Sequence, residues 1–234
     1  MCSGQAGAQV PGPGLELVEE RQTRAVAGMR GPQRRQFGVE AREAVLGQGA
    51  VVALQPLAAI SPHYLADPKP VGGSLFRIQR DTRFAGDKSP YKPWQGARLF
   101  HERRREVPSP SFYVHLQPGH CFVGAGLWHP DTRTQRRVRQ FIVDNPAGWK
   151  AAAHAPAFRR RYRRDDSDML VRPPRGFPTD FEFMDDLRHR NFVASRGLED
   201  ALFTGPQLHA SLERDLAALA PLVDYLCAAL DLEF

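Results

Sequence analysis

Cysteine is scarce in this chain, and long apolar runs are missing. Its three cysteines, Cys2, Cys121 and Cys227, lie far apart with no CxxC pair. That spacing fits neither a disulfide framework nor a zinc ribbon and makes a reducing cytoplasm the expected setting. No stretch approaches the roughly 18–20 consecutive apolar residues of a membrane-spanning helix, so no membrane partner is expected. Neither GxxxxGK[ST] nor a GxGxxG opening a helix after a strand occurs, which argues against P-loop and Rossmann nucleotide binding. No cofactor is implied. Aromatic residues are thin at the front: of all Phe, Tyr and Trp, only Phe37 precedes Tyr64. Residues 1–14, rich in Gly, Ala and Pro, read as disordered and lack the basic start and continuous apolar stretch of a secretory signal. Weak helical patterns cover 15–30 and 38–57, the second diluted by Gly47 and Gly49.

What is present suffices for one globular domain: 234 residues, 42% hydrophobic and 25% charged. The expected division is an N-terminal segment over 1–57, partly disordered, and a single α+β domain over 58–234. Patterning sharpens after Pro70. Residues 74–80 alternate, with Phe76 and Ile78 on one face and Arg77 and Gln79 on the other, as in a half-buried strand. Residues 98–103 read as a short partner strand. Residues 111–117 alternate again, and Pro118-Gly119 supplies turn chemistry. Pairing Gln117 with His120 sets His115 opposite Phe122 and Tyr113 opposite Gly124. In that register Phe112, Val114, Leu116, Cys121, Val123, Ala125 and Leu127 form an apolar side. A longer or bulged loop would shift it, since tight hairpins favour mirror-image turns.

From Asp131 the period becomes helical, with Val138, Phe141 and Ile142 at three- and four-residue spacing. Asn145-Pro146 reads as the cap and first position of a further helix. Another is expected over 177–190. Near the C-terminus Leu208, Leu212, Leu216, Leu219, Leu222, Leu226 and Leu230 draw an apolar stripe, expected to break at Pro221. The fold class is therefore α+β: a mainly antiparallel sheet over 74–128, packed on one face by C-terminal helices.

Charge concentrates between Arg77 and Arg105, where nine basic residues face three acidic ones. Arg77, Arg80 and Arg83 offer forked donors to a phosphate or carboxylate, with Asp81 and Asp87 placed to orient them. Lys88, Tyr91 and Lys92 add an ammonium, a hydroxyl and a second ammonium. A salt-bridge network bracing the loop explains the same residues equally well. Tyr113, His115 and Gln117 share a face with Gly124 and Gly126, whose missing side chains leave room for a ligand or another backbone. There His115 is the candidate general acid/base, or a hydrogen-bonded structural histidine. Arg159–Arg164 reads as a solvated helix face partly neutralised by Asp165, Asp166 and Asp168. The histidines lack a recognised metal-ligand spacing, and Cys121 falls on the apolar side, where a thiol is inert packing.

Four stretches, KPVGGSLFRIQRDTRFAGDKSPYK (69–92), FYVHLQPGHCFVGAGLWHP (112–130), RPPRGF (172–177) and NFVASRGL (191–198), resemble the bacterial and fungal family known as domain of unknown function 2461. The resemblance covers about residues 59–234 and implies no activity. Residues 1–57 lack the family's aromatic-rich opening and are read as non-homologous. Where the family pattern has Asp-His-Pro, this chain has Asp180-Phe181-Glu182, and Arg190 stands where Lys is common. Arg175 and Arg196, within these motifs, join the candidate anion pocket. The expected function is binding of an anion, a phosphate-bearing small molecule or nucleic acid, through the Arg/Lys cradle. The alternatives are an enzyme of phosphoester or acyl chemistry using His115, and a protein-interaction module with a basic surface.

Overall fold

The computed structural model describes residues 59–67, 69, 72–77, 79, 83 and 91–234. The helical patterns over 15–30 and 38–57 lie outside the described residues. Alternating side chains build six strands: β1 (Tyr64–Leu65), β2 (Gln95–His101), β3 (Ser111–Leu116), β4 (Phe122–Leu127), β5 (Arg163–Arg164) and β6 (Phe192–Gly197). They form one antiparallel sheet in the order β1-β2-β3-β4-β6-β5. The sheet therefore reaches well past residue 128, because β6 returns from the C-terminal half to pair with β4.

The hairpin at its centre has the register that alternation predicts, with His115 opposite Phe122 and Tyr113 opposite Gly124. Its turn closes through His120 N–H donating to the Gln117 carbonyl at 2.7 Å. Gly119 has φ of 77°, so Pro118-Gly119 makes a turn with positive φ only at its second central residue, which Pro tolerates. No mirror-image turn is needed.

The segment over 74–80 does not form a regular strand among its described residues. Leu75 bridges Ala97 and Gln79 bridges Tyr91 as isolated pairs. Leu75, not Phe76, packs against the core, and Phe76 is 40% exposed. β1 and residues 74–76 share the same edge of β2. Asp67 and Ser74 bond to each other there: Ser74 N–H donates to the Asp67 carbonyl at 2.7 Å, and the Ser74 hydroxyl accepts from Asp67 N–H at 2.9 Å.

Among the described residues six helices accompany the sheet: α1 (Thr132–Asp144), α2 (Pro146–Ala153), α3 (Pro156–Arg161), α4 (Met184–Arg188), α5 (Asp200–Thr204) and α6 (Leu208–Ala228). Asp131 caps α1 by accepting from Thr134 N–H at 2.7 Å. Asn145 precedes Pro146 as expected, but its amide donates back to the Phe141 carbonyl instead of capping α2. The helix expected over 177–190 is confined to α4. α6 runs through Pro221 without a break. Pro221 is exposed, while Leu212, Leu216, Leu219, Leu222 and Leu226 on both sides of it are buried, so packing outweighs the missing backbone bond.

One core forms between α6 and the sheet. Ala97, Leu99, Phe112, Val114, Leu116, Val123, Ala125, Leu127, Phe192 and Ala194 all leave the same face to meet those leucines, each large side chain contributing about 1.5–3 kcal/mol on leaving water. Tyr225 ties α6 to the α1–α2 junction by donating toward the carbonyls of Phe141 and Asn145 at 3.1 and 3.0 Å. No described helix is long and apolar enough to cross a membrane.

Candidate ligand-binding face

The alternate residues of the same strands leave the far face, turned away from that core. The register sets them in transverse rows. One row runs Gly96, His115, Phe122, Gly197, and the next runs Arg98, Tyr113, Gly124, Ser195, Arg163. Four glycines share this face, for different reasons. A Cβ on Gly96 would stand 2.5 Å from the Tyr113 hydroxyl, so the tyrosine lies across it. A Cβ on Gly124 would meet the Ala194 carbonyl oxygen at 2.8 Å, and one on Gly126, where φ is 138°, would meet the Phe192 carbonyl oxygen at 2.0 Å. Gly124 and Gly126 therefore let β6 approach β4, and of the two uses foreseen for them, the close approach of another backbone is realised. Gly197 differs. It is exposed, and among the described residues nothing lies nearer its Cβ position than the Cys121 carbonyl oxygen at 4.0 Å.

His115 is the hub of the first row. The Tyr113 hydroxyl donates to its Nδ1 at 3.0 Å, and its Nε2–H donates to Gln117 Oε1 at 3.2 Å, the tautomer this network satisfies. Burial pushes its pKa below the ordinary value, the Gln117 bond opposes that, and the charge of His120 adds to it. The imidazole is therefore neutral at pH 7. Trp94 covers one side of the ring at 5.3 Å, and Phe122 stacks on it at 4.7 Å and 16°. Lys92 Nζ sits 4.5 Å from the centre of a Trp94 ring. The result is a ladder, Lys92, Trp94, His115, Phe122, with Phe76 set edge-on against Trp94 and Tyr113. Burial raises the Tyr113 phenol to about 12. Acid/base work by His115 would require breaking one of its two ring hydrogen bonds.

The second row carries an arginine at each end. Arg98 and Arg163 are both exposed, and neither pairs with a carboxylate among the described residues. Beside them on this face the Arg104 guanidinium lies 3.3 Å from the Phe100 ring centre and donates to the Gly72 carbonyl at 2.7 Å.

Arg161, Arg164 and Arg196 are neutralised by buried carboxylates. Asp215 on α6 is fully buried and accepts from Arg196 Nε at 2.7 Å, Arg161 Nη2 at 2.8 Å and the Tyr162 hydroxyl at 2.7 Å. Asp186 on α4, also buried, accepts from Arg164, His154 and the Trp149 indole. Burial alone would raise both carboxyls, but hydrogen bonds and charge from Arg196 and Arg164 outweigh it and hold both below the usual range. Within the run 159–164, Arg161 and Arg164 are thus neutralised from α6 and α4, not by the adjacent aspartates. Asp165 instead accepts from Asn191 and Ser167, and Asp168 pairs with Arg190.

Of the residues expected to act together, the structure brings Tyr113, His115 and Lys92 into one cluster through Trp94. Tyr91 is 59% exposed beside Lys92. Arg77 is exposed in the irregular segment after Phe76. Arg83 has an interaction partner. Arg80, Asp81, Asp87 and Lys88 lie outside the described residues. Arg196 belongs to the Asp215 cluster, across the sheet from Tyr113. Arg175 is exposed in the loop before α4, where Gly176 lies near Arg136 of α1. Trp94, Arg98, Phe122, Arg163 and Gly197 were missed as site residues. Phe122 was recoverable from the hairpin register, whereas Arg163 and Gly197 needed the pairing of β5 and β6. No described group of His, Cys, Asp and Glu could hold a metal ion.

A one-sided antiparallel sheet backed by helices, with a glycine-rich aromatic far face, is the architectural class. Within it, the chain belongs to the family described as conserved hypothetical protein, domain of unknown function 2461, whose model matches residues 44–225. The match begins inside the segment 1–57 that was read as non-homologous, so the family's sequence starts earlier than the motifs indicate. No curated protein and no solved structure matches the chain.

Proposed function

We propose that the far face binds a phosphate-bearing ligand laid across the strands. The observation that carries this reading is the row Arg98, Tyr113, Gly124, Ser195, Arg163, which ends on both sides in a cation without a carboxylate partner among the described residues. Its middle is low and polar. Guanidinium forks match phosphate oxygens, and the Ser195 hydroxyl can donate to them, while the Tyr113 hydroxyl stays engaged on His115. From β2 to β5 the row crosses four strand spacings, about 19 Å. A single phosphate cannot bridge that distance, but successive phosphates of a polymer can. Lys92 and Arg104 flank the row, and the +6 formal charge of the chain favours encounter with a polyanion.

The test is fluorescence anisotropy with labelled oligothymidine, with inorganic polyphosphate as competitor, over a range of salt. Binding should weaken steeply as salt rises. Arg98→Ala and Arg163→Ala should each reduce the log–log salt slope by about 0.7. Arg160→Ala, an exposed arginine on α3, should leave it unchanged. Absence of binding at low salt, or equal slopes for all variants, would overturn the reading.

A further inference from the structure

The stacked ladder on the far face ends on an open step. Its rungs follow the transverse row: Trp94 lies against His115, and His115 stacks on Phe122. The next position in that row is Gly197, directly across from Phe122 on β6. There the row stops without a side chain. Gly197 is exposed and, among the described residues, its Cβ direction meets nothing nearer than 4.0 Å. Its glycine is not required by close strand approach, as at Gly126, nor by a positive φ. β5 pairs only with Ser195 and Ala194, so among the described residues no strand pairs with β6 on its outer side at Gly197. A planar group can therefore enter from the sheet edge.

Resting on the reading of this face as a phosphate site, we propose that the step over Gly197 receives an unpaired nucleobase stacked on Phe122, making single-stranded nucleic acid the ligand. Two independent features meet here. The ladder supplies a ring face held rigid by its neighbours, on which any base can stack. The adjacent row supplies Arg163 and Ser195 beside the step, with Arg98 beyond the glycine centre, to receive the backbone phosphates. Asp200, the nearby acid that follows β6, is engaged by accepting from Gly119 N–H at 2.7 Å. A base paired in a duplex is already stacked and edge-bonded and cannot enter such a step, so the surface selects single strands.

The test compares three probes on the full chain: oligothymidine, an abasic deoxyribose-phosphate strand of the same length, and duplex DNA. Oligothymidine should bind about tenfold or more tighter than the abasic strand, the range of one stacked base. Gly197→Val fills the step with a residue strands accept, and Phe122→Leu removes the stacking surface. Each should lower oligothymidine affinity to the abasic level and leave abasic binding unchanged, with thermal melting confirming the fold. If the abasic strand, the duplex and oligothymidine bind alike, or if Gly197→Val binds oligothymidine as the parent does, the base step is wrong while the phosphate reading stands. If no probe binds, both fall.

Discussion

Arg163 and Arg164 are adjacent in the chain and opposite in circumstance. Arg164 donates to the buried carboxylate of Asp186, whereas Arg163 leaves the other side of the sheet, exposed and without a carboxylate partner among the described residues. Strand alternation alone separates them. Arginine count is therefore a poor guide to the surface potential of this protein: one face consumes its cations internally and the other displays them.

This separation predicts two phenotypes for similar substitutions. Asp215→Ala leaves Arg161, Arg196 and the Tyr162 hydroxyl without their shared acceptor and should cost about 3–5 kcal/mol in denaturant unfolding. Arg163→Ala should stay within about 0.5 kcal/mol of the parent. Equal losses would mean that Arg163 is structural.

Stability should fall on acidification in two stages. Burial lowers the pKa of both His115 and His189, so the unfolded chain, titrating near 6.5, takes up protons first. Their contribution is complete above about 6.5 and shrinks as pH falls through that value toward the lower native ones. Asp186 and Asp215, both lowered, withdraw theirs only below about pH 4. Melting temperatures of His115→Gln should decline less than those of the parent between about pH 7 and 5. Parallel curves would show that His115 does not contribute to the first stage.

Gly126→Ala should destabilise by about 1–3 kcal/mol, since φ is 138° and the new Cβ would collide with the Phe192 carbonyl oxygen. Gly197→Ala meets nothing comparable and should melt close to the parent. Thermal unfolding of the pair is the check, and similar melting would remove the distinction drawn between these glycines.

Pro221→Ala should stabilise the protein by about 1–3 kcal/mol. The residue is exposed within α6, so no packing is lost, and a backbone donor toward the Ala217 carbonyl is restored. A lower melting temperature would indicate that the proline's stiffening of the unfolded chain dominates.

The central hairpin was legible because two strict period-2 runs flank Pro118-Gly119, and the register closing on that turn keeps Phe112, Val114 and Leu116 on the same side as Val123 and Ala125. The core face of α6 was legible from its leucine stripe. Its passage through Pro221 was not, because tertiary packing overrides a local preference that sequence displays plainly. β2 was half seen: its first residues, Gln95, Gly96 and Ala97, carry no bulky alternation, so Arg98 was not assigned to the face of Tyr113. The transverse rows were hidden for a different reason. They depend on β6 pairing with β4 and β5 across long sequence separations, and nothing local in Arg163, Ser195 or Gly197 reports that contact. Candidate residues chosen by charge density in one window accordingly gathered Arg77 and missed Arg163.

Both margins of the sheet are poor templates. On one side β1 spans two residues before Ser74 resumes contact with β2, and on the other β5 spans only two residues. Among the described residues, a foreign strand approaching either border would find no run of unpaired amides long enough to zip against. Concentrated solutions and partly refolded samples should accordingly resist fibril growth by border-to-border addition.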